Sequence, residues 1–415
     1  MYKYLADRHK ILIRTIRHHV ICLFTELFRN DIDKDKPVII FIRRGARSRI
    51  YNHALSLKSH EVQSILIAQT FDYPYHKKVF NKICIWYRIS DICRTVIKLC
   101  NKYNVIAVVG SLQPAVQTIE LLKLKNKFPL LIDHHDSAWS QVYFQNLNVN
   151  NYENSWINAI EVEQEKKCFT SVDGVIARSN ELKELFTRNS ITTPIEVFED
   201  CCSDQYFQPI DFNDGPRGKE WSLAYAGMVF PSSLAPEYSF PQFMSMSKYF
   251  NNEKIHFHIY PGQNHEYCYP DYEAESKINE YFHMKRSLSF MAIRKALTQY
   301  DFGLVAFNPP ENYKMFSQEH FKHIIHAKFH TYLEAGLPII VSPVFEREAE
   351  ILLEAQAGII FDGATPEGLR ERIEQEDIKQ MRKNVSLLRE SFNVKNQGAR
   401  LSSFINKVQK EKLKI

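Results

Sequence analysis

Residues 327–341 read AKFHTYLEAGLPIIV, and the fold turns on this stretch. Phe329, Tyr332 and Leu333 recur at the spacing of one helix face, the pattern stops at Gly336, and Pro338 opens the apolar run Pro338-Ile339-Ile340-Val341. Glycine directly after a helix is a stop signal, because it alone takes the left-handed conformation there without steric cost. A β-branched run next to it reads as a strand buried on both faces of a parallel sheet. The helix therefore aims its N-terminus, with unsatisfied amides and partial positive charge, at the carboxyl ends of neighbouring strands. Open α/β sheets bind phosphorylated ligands at that edge.

Working outward, the same alternation fills the chain. Residues 38–42 (VIIFI) precede the basic loop Arg43-Arg44-Gly45-Ala46-Arg47 and a helical pattern from Ile50. Residues 62–68 read as a second strand, residues 85–103 as a helix, and residues 105–109 as a strand ending at Gly110. Residues 130–133 (LLID) run into His134-His135-Asp136, then a long polar helix over residues 152–169 leads to strands at 174–177 and 195–198. Residues 208–220, QPIDFNDGPRGKE, break the pattern and read as a linker. Strand signals resume at 221–226, 255–260, 302–307, 338–341 and 358–361, and everything after Pro366 is helical and charged. Strands alternating with helices mean right-handed crossovers and parallel sheets.

The expected architecture is α/β, with two Rossmann-like, doubly wound parallel-sheet domains facing each other across a cleft. Its parts are a basic amphipathic helix region (1–36), a first domain (37–207), a linker (208–220), a second domain (221–391) and a terminal helix (392–415) packing back on the first domain. At 415 residues the chain exceeds one ordinary core. A cleft between two such units is the default ligand site.

The net charge of +5 is too small to indicate nucleic acid. Residues 1–29 place Lys3, Arg8, Lys10, Arg14, Arg17 and Arg29 among apolar residues, and the charges interrupt any run of the roughly 20 residues a bilayer span needs. Two readings stay open: a helix lying on an anionic membrane surface, or one docked on its own domain. Eight scattered cysteines without a CxxC pair, and no cleavable leader, suit reduced thiols in a cytosol.

Four elements in order resemble GT-B glycosyltransferases, close to the family 4 (group 1) enzymes. Residues 131–136 (LIDHHD) are similar to the strand end of the family's first domain, and residues 172–179 (VDGVIARS) to the strand after its long helix. Residues 223–227 (LAYAG) resemble the start of its second domain, and residues 328–338 (KFHTYLEAGLP) its donor-site helix. The resemblance implies transfer of a sugar from a nucleotide-sugar donor to a glycan or lipid-linked glycan acceptor, retaining by analogy, in surface polysaccharide biosynthesis. A cytoplasmic protein is expected, and contact with the inner membrane face through residues 1–30 is one of the two open readings of that segment. No cofactor or metal is implied. Two departures stand out: Thr331 occupies the position of the Glu that grips the donor ribose, with Glu334 one turn later. After Gly227, Met228-Val-Phe-Pro-Ser-Ser233 carries neither the Arg nor the Lys that hold the diphosphate. They support the alternative of a catalytically silent GT-B partner subunit.

Transfer needs the leaving diphosphate stabilised, and preorganised cations and amides contribute most to that stabilisation. Lys328, in the first turn of the 327–335 helix, is the candidate cation. His135 and Asp136 sit past a strand end where an imidazole steadies charge or bonds a sugar hydroxyl; the same residues also suit simple helix capping. Gly45, Gly227, Tyr260, His326, Thr331 and Glu334 complete the expected donor site. Arg43, Arg44 and Arg47 suit either an acceptor phosphate or a solvated loop. His320, His323, His326 and His330 show no matching carboxylate or cysteine spacing, so no metal site is expected.

Overall fold

The computed structural model describes residues 32–45, 48–70, 76–86, 88–112, 114–145, 158–233, 242–262, 269–305, 316–362 and 367–414. The amphipathic segment 1–30, Arg47, the first part of the 152–169 helix and the loop after residue 305 lie outside these residues.

Two separate parallel sheets form. The first has seven strands: β1 (Val38–Gly45), β2 (Gln63–Thr70), β3 (Lys82–Ile85), β4 (Val105–Ser111), β5 (Leu130–Asp133), β6 (Gly174–Ala177) and β7 (Ile195–Val197), in the order β3-β2-β1-β4-β5-β6-β7. The second has six: β8 (Ser222–Gly227), β9 (His256–Pro261), β10 (Phe282–Met284), β11 (Phe302–Val305), β12 (Ile339–Val341) and β13 (Gly358–Ile360), in the order β10-β9-β8-β11-β12-β13. In β1, Val38, Ile40 and Ile42 enter one core and Ile39 and Phe41 the other, so the sheet is buried on both faces.

Crossover helices cover both sheets. In the first domain they are α1 (Ser48–Lys58), α2 (Ile89–Cys100), α3 (Val116–Leu122), α4 (Ala138–Gln145), α5 (Ala159–Ser171) and α6 (Asn180–Arg188). In the second they are α7 (Ser247–Glu253), α8 (Pro270–Ile278), α9 (Phe290–Leu297), α10 (Gln318–His323), α11 (Ala327–Ala335), α12 (Glu346–Ala355), α13 (Leu369–Glu374) and α14 (Ile378–Ser391). The last helix, α15 (Val394–Leu413), inserts Leu401, Phe404, Ile405 and Val408 into the first domain's core and packs on α1.

Three differences from the sequence expectation are local. The helix expected over 85–103 begins at Ile89, because Lys82–Ile85 pairs with β2 as an edge strand. Strand β10 and helix α8 also form where none was expected. The linker is no free tether: Gln208 N donates to Glu334 O at 2.8 Å, Arg217 N to Asp301 Oδ1 at 2.8 Å, and Arg382 to Asn213 O at 2.6 Å.

Helix α11 is seated by its sequence. Gly336 ends it at φ +77. Tyr332 lies flat on β11, where a Cβ on Gly303 would come within 2.3 Å of its ring, and Tyr332 OH accepts from Ala226 N at 2.9 Å. Strands β8 and β11 thus hold α11, and its N-terminal end arrives at the carboxyl edge of the sheet.

Candidate functional site

The first domain brings three polar side chains to its cleft edge. His135 and Asp136 follow β5, and Arg178 follows β6, the neighbouring strand. Arg178 Nη1 lies 3.3 Å from His135 Nε2 and 3.2 Å from Asp136 Oδ1, while Nη2 donates to Ile325 O of the second domain at 2.9 Å. Burial pushes the His135 imidazole down to about 3, so it is neutral at physiological pH. Burial works against the Asp136 carboxylate, yet the neighbouring His135 and Arg178 hold its pKa below the usual range. His135 Nδ1 and Arg178 Nε are buried without a hydrogen-bond partner among the described residues.

The loop is braced from behind. Asp133, the last residue of β5, is fully buried and receives Arg43 Nη2 at 2.6 Å, Arg49 Nε at 2.9 Å and His53 Nε2 at 3.2 Å. Burial alone raises its pKa; the fields of Arg49 and Arg43 outweigh this and hold it well below the ordinary value. Arg43 is therefore bound inside the protein, which corrects both readings of it, as a contact for an acceptor phosphate and as part of a solvated loop. Glu165 closes the other side of the loop, taking Ser137 Oγ at 2.8 Å and the amides of Ala138 and Trp139 at 3.1 and 2.9 Å. His134 points into the core against Phe169 and not into the cleft.

The second domain supplies the cation. Lys328 runs from the first turn of α11 across the Tyr225 ring, with Nζ 5.2 Å from its centre. A Cβ on Gly227 would stand 3.1 Å from Lys328 Cε, so the glycine leaves the groove in which the lysine lies. Burial lowers the Lys328 pKa to about 8, Glu348 working against that shift and Arg178 adding to it. His326, the cap residue of α11, places its amide 2.6 Å and its Nδ1 3.0 Å from the buried Glu348 carboxylate. Its pKa falls to about 4 through burial, although Glu348 opposes that.

The domains meet beside this site. Glu181 Oε2 lies 3.0 Å from His320 Nδ1, Gln141 accepts from Ser317 N, and Arg347 grips Glu199 with bonds of 2.8 and 3.1 Å.

The structure thus assembles His135, Asp136, Gly227, His326 and Lys328 around the cleft. Thr331, on the Lys328 face of α11, donates its hydroxyl to Ala327 O at 3.1 Å. Gly45 ends β1 on the cleft edge, with Thr70 Oγ1 3.3 Å from where its Cβ would be. Two expected donor residues turn away. Tyr260 OH meets Tyr300 OH at 2.7 Å in the interior. Glu334 is buried, accepts from Ser203 N at 2.9 Å and pairs with Arg294, so it anchors the segment before the linker. Sequence reasoning missed Arg178 and Glu348. Arg178 lies inside the stretch VDGVIARS, whose pattern gives it no role, and Glu348 reads as one more charge in an acidic helix.

Residues 242–396 match the family model of the glucosyltransferase 3-like C-terminal domain. A comparison with curated proteins found no match. Among solved structures, the Anabaena protein HepE in complex with UDP is similar at 9% identity and a TM-score of 0.62, over 90% of this chain and 100% of that one. A glycosyltransferase from Rickettsia africae (14% identity, TM-score 0.58) and a sucrose-phosphate synthase from Thermosynechococcus elongatus (12%, 0.58) each align over 90% of this chain and 99% of theirs. At these identities the likeness establishes the fold: two parallel-sheet α/β domains in the GT-B arrangement.

Proposed function

We propose that this chain is a glycosyltransferase that moves a sugar from a nucleotide-sugar donor to a glycan or lipid-linked glycan acceptor, with retention of configuration, in surface polysaccharide biosynthesis. The observation that carries this is Lys328 at the N-terminus of α11, lying beside Gly227 and opposite Arg178 and His135 of the other domain. A diphosphate placed there meets a side-chain cation at the positive end of the helix dipole. His135 and Asp136 would face the sugar, with neutral His135 as a hydrogen-bond partner. Closure of the domains would exclude water and favour transfer over hydrolysis. The chemistry requires no metal or cofactor from these residues. The matching family model over residues 242–396 supports the class of activity, and the motif order supports membership near family 4.

Thermal-shift screening with UDP-, GDP- and TDP-sugars, followed by an assay for slow donor hydrolysis, tests this reading. One donor should raise the unfolding midpoint and be hydrolysed. The cytoplasmic, membrane-peripheral location proposed for the chain rests on residues 1–30 and is tested by liposome sedimentation with and without them. No helix among the described residues is long and apolar enough to cross a membrane.

A second reading has its own support. The site lacks an Arg or Lys after Gly227, where Met228 instead stands 54% exposed, and Thr331 replaces the ribose-gripping Glu. Absence of any shift with every donor would favour a silent partner subunit.

A further inference from the structure

Helix α6 of the first domain presents Glu181 and Glu184, one turn apart, to α10 of the second, which carries Glu319, His320 and His323. The inner pair, Glu181 and His320, is buried and closed at 3.0 Å. The outer group is arranged differently. His323 Nε2 stands 3.7 Å from Glu184 Oε2 and 3.7 Å from Glu319 Oε2. Those separations are too long for hydrogen bonds, yet the three atoms lie within 4.8 Å of one another.

Ligands bonded to one small divalent ion at about 2.0–2.2 Å are themselves about 3–3.5 Å apart. Both separations from His323 need a contraction of only a few tenths of an ångström to meet that geometry. The second oxygen of each carboxylate is held from outside: Arg188 pairs with Glu184 Oε1, and Lys322 Nζ lies 3.4 Å from Glu319 Oε1. Such outer partners orient the ligating atoms. The three side chains are 28–36% exposed, which leaves an entry path and room for water to complete the coordination.

We propose that Glu184, Glu319 and His323 form a divalent metal site of the zinc type that bridges the two domains beside the cleft. One imidazole nitrogen with two carboxylate oxygens suits Zn²⁺ or Co²⁺, whereas Mg²⁺ and Ca²⁺ take oxygen ligands. Because Glu184 belongs to one domain and the other two ligands to its partner domain, the ion fastens the closed arrangement. The site shares no residue with the proposed nucleotide cleft and stands independently of that reading.

The test uses the full chain in a thermal-unfolding assay with ZnCl2, MgCl2 or EDTA, and a visible spectrum with CoCl2. Zinc should raise the midpoint by a few degrees, reversibly with EDTA, while magnesium leaves it unchanged. Cobalt should give a visible absorption band. His323→Ala and Glu184→Gln, both at part-exposed positions, should unfold like the parent without metal and lose the zinc shift, and His323→Ala should also lose the cobalt band. Neither shift nor band in the parent, or an equal zinc shift in His323→Ala, overturns the site. A shift retained by Glu184→Gln alone overturns the bridge between domains.

Discussion

The Arg178 guanidinium of the first domain donates to the Ile325 carbonyl of the second at 2.9 Å, while its other nitrogen stands 3.2 Å from Asp136. Ile325 precedes the cap residue of α11, so one side chain couples the His135–Asp136 loop to the helix that carries Lys328. Replacing Arg178 with Lys keeps the charge but loses the fork that reaches both partners. Misplacing a reacting group by about 1 Å costs on the order of 100-fold. Arg178→Lys should therefore lower donor turnover by about that factor. Steady-state kinetics on the parent and variant check this, and a variant within twofold of the parent would remove Arg178 from the site.

Lys328 makes donor binding depend on pH. Its ammonium form is disfavoured by burial, so the amine loses its proton near pH 8 instead of near 10.5. The folded protein then holds fewer protons than the unfolded chain between those values, and stability should rise with pH across that window. Donor affinity should do the reverse, weakening as pH climbs through 8 and the cation disappears. Lys328→Arg should flatten this dependence, because a guanidinium stays charged throughout. Isothermal titration with the stabilising donor from pH 6.5 to 9.5 measures it. A constant dissociation constant in the parent would count against Lys328 as the phosphate's partner.

His135 should contribute no limb to the pH–rate profile between pH 5 and 8, because burial keeps it neutral there. His135→Ala should still reduce kcat/KM by 10-fold or more, roughly the loss of one well-placed polar contact in a transition state. A bell-shaped profile that disappears in the variant would instead make His135 a titrating acid or base.

Gly227 gives a steric test of the same groove. A methyl there would stand 3.1 Å from Lys328 Cε and 3.3 Å from the Tyr225 hydroxyl. The lysine is the flexible neighbour, so Gly227→Ala should displace it and weaken donor binding. Donor titrations of parent and variant, read beside their melting curves, separate this from a general loss of folding.

The architecture was legible where local chemistry and tertiary packing agree. Gly336, with its left-handed backbone, and the run Ile339–Val341 announced a helix that stops and a central strand that follows. Of the four edge strands, β7 and β13 were legible and β3 and β10 were not. Lys82–Ile85 and Phe282–Met284 are short and half-buried, and their apolar residues blend with those of the flanking helices. Within the site, strand-end position was readable from sequence but side-chain direction was not. Tyr260 ends β9 near the cleft edge yet closes on Tyr300, and Glu334 shares a helix with Lys328 yet turns toward Arg294. Partners remote in sequence were invisible too. The carboxylate facing His323 comes from Glu184, on another domain, and Arg178 acquires its role only when Ile325 arrives from the second domain.

Asp133 tests how far the loop depends on its buried support. Two arginines and a histidine converge on one carboxylate with no exposure, and Arg49 continues to Phe198 O at 2.6 Å and Asp200 Oδ1 at 3.0 Å. Losing the carboxylate leaves Arg43 and Arg49 buried with only Asp200 as the named counter-charge on Arg49, and removing one partner of a buried ion pair costs about 3–5 kcal/mol. Asp133→Asn should therefore unfold at a markedly lower urea concentration than the parent. The carboxyl's pKa is depressed in the folded state, so its contribution is complete above the unfolded value near 3.8 and fades as pH falls toward the folded one. The gap between parent and variant should accordingly stay nearly constant from pH 7 to about pH 5 and narrow from there to pH 3. A gap that stays constant all the way to pH 3 would assign the loss to packing and not to the carboxylate's charge.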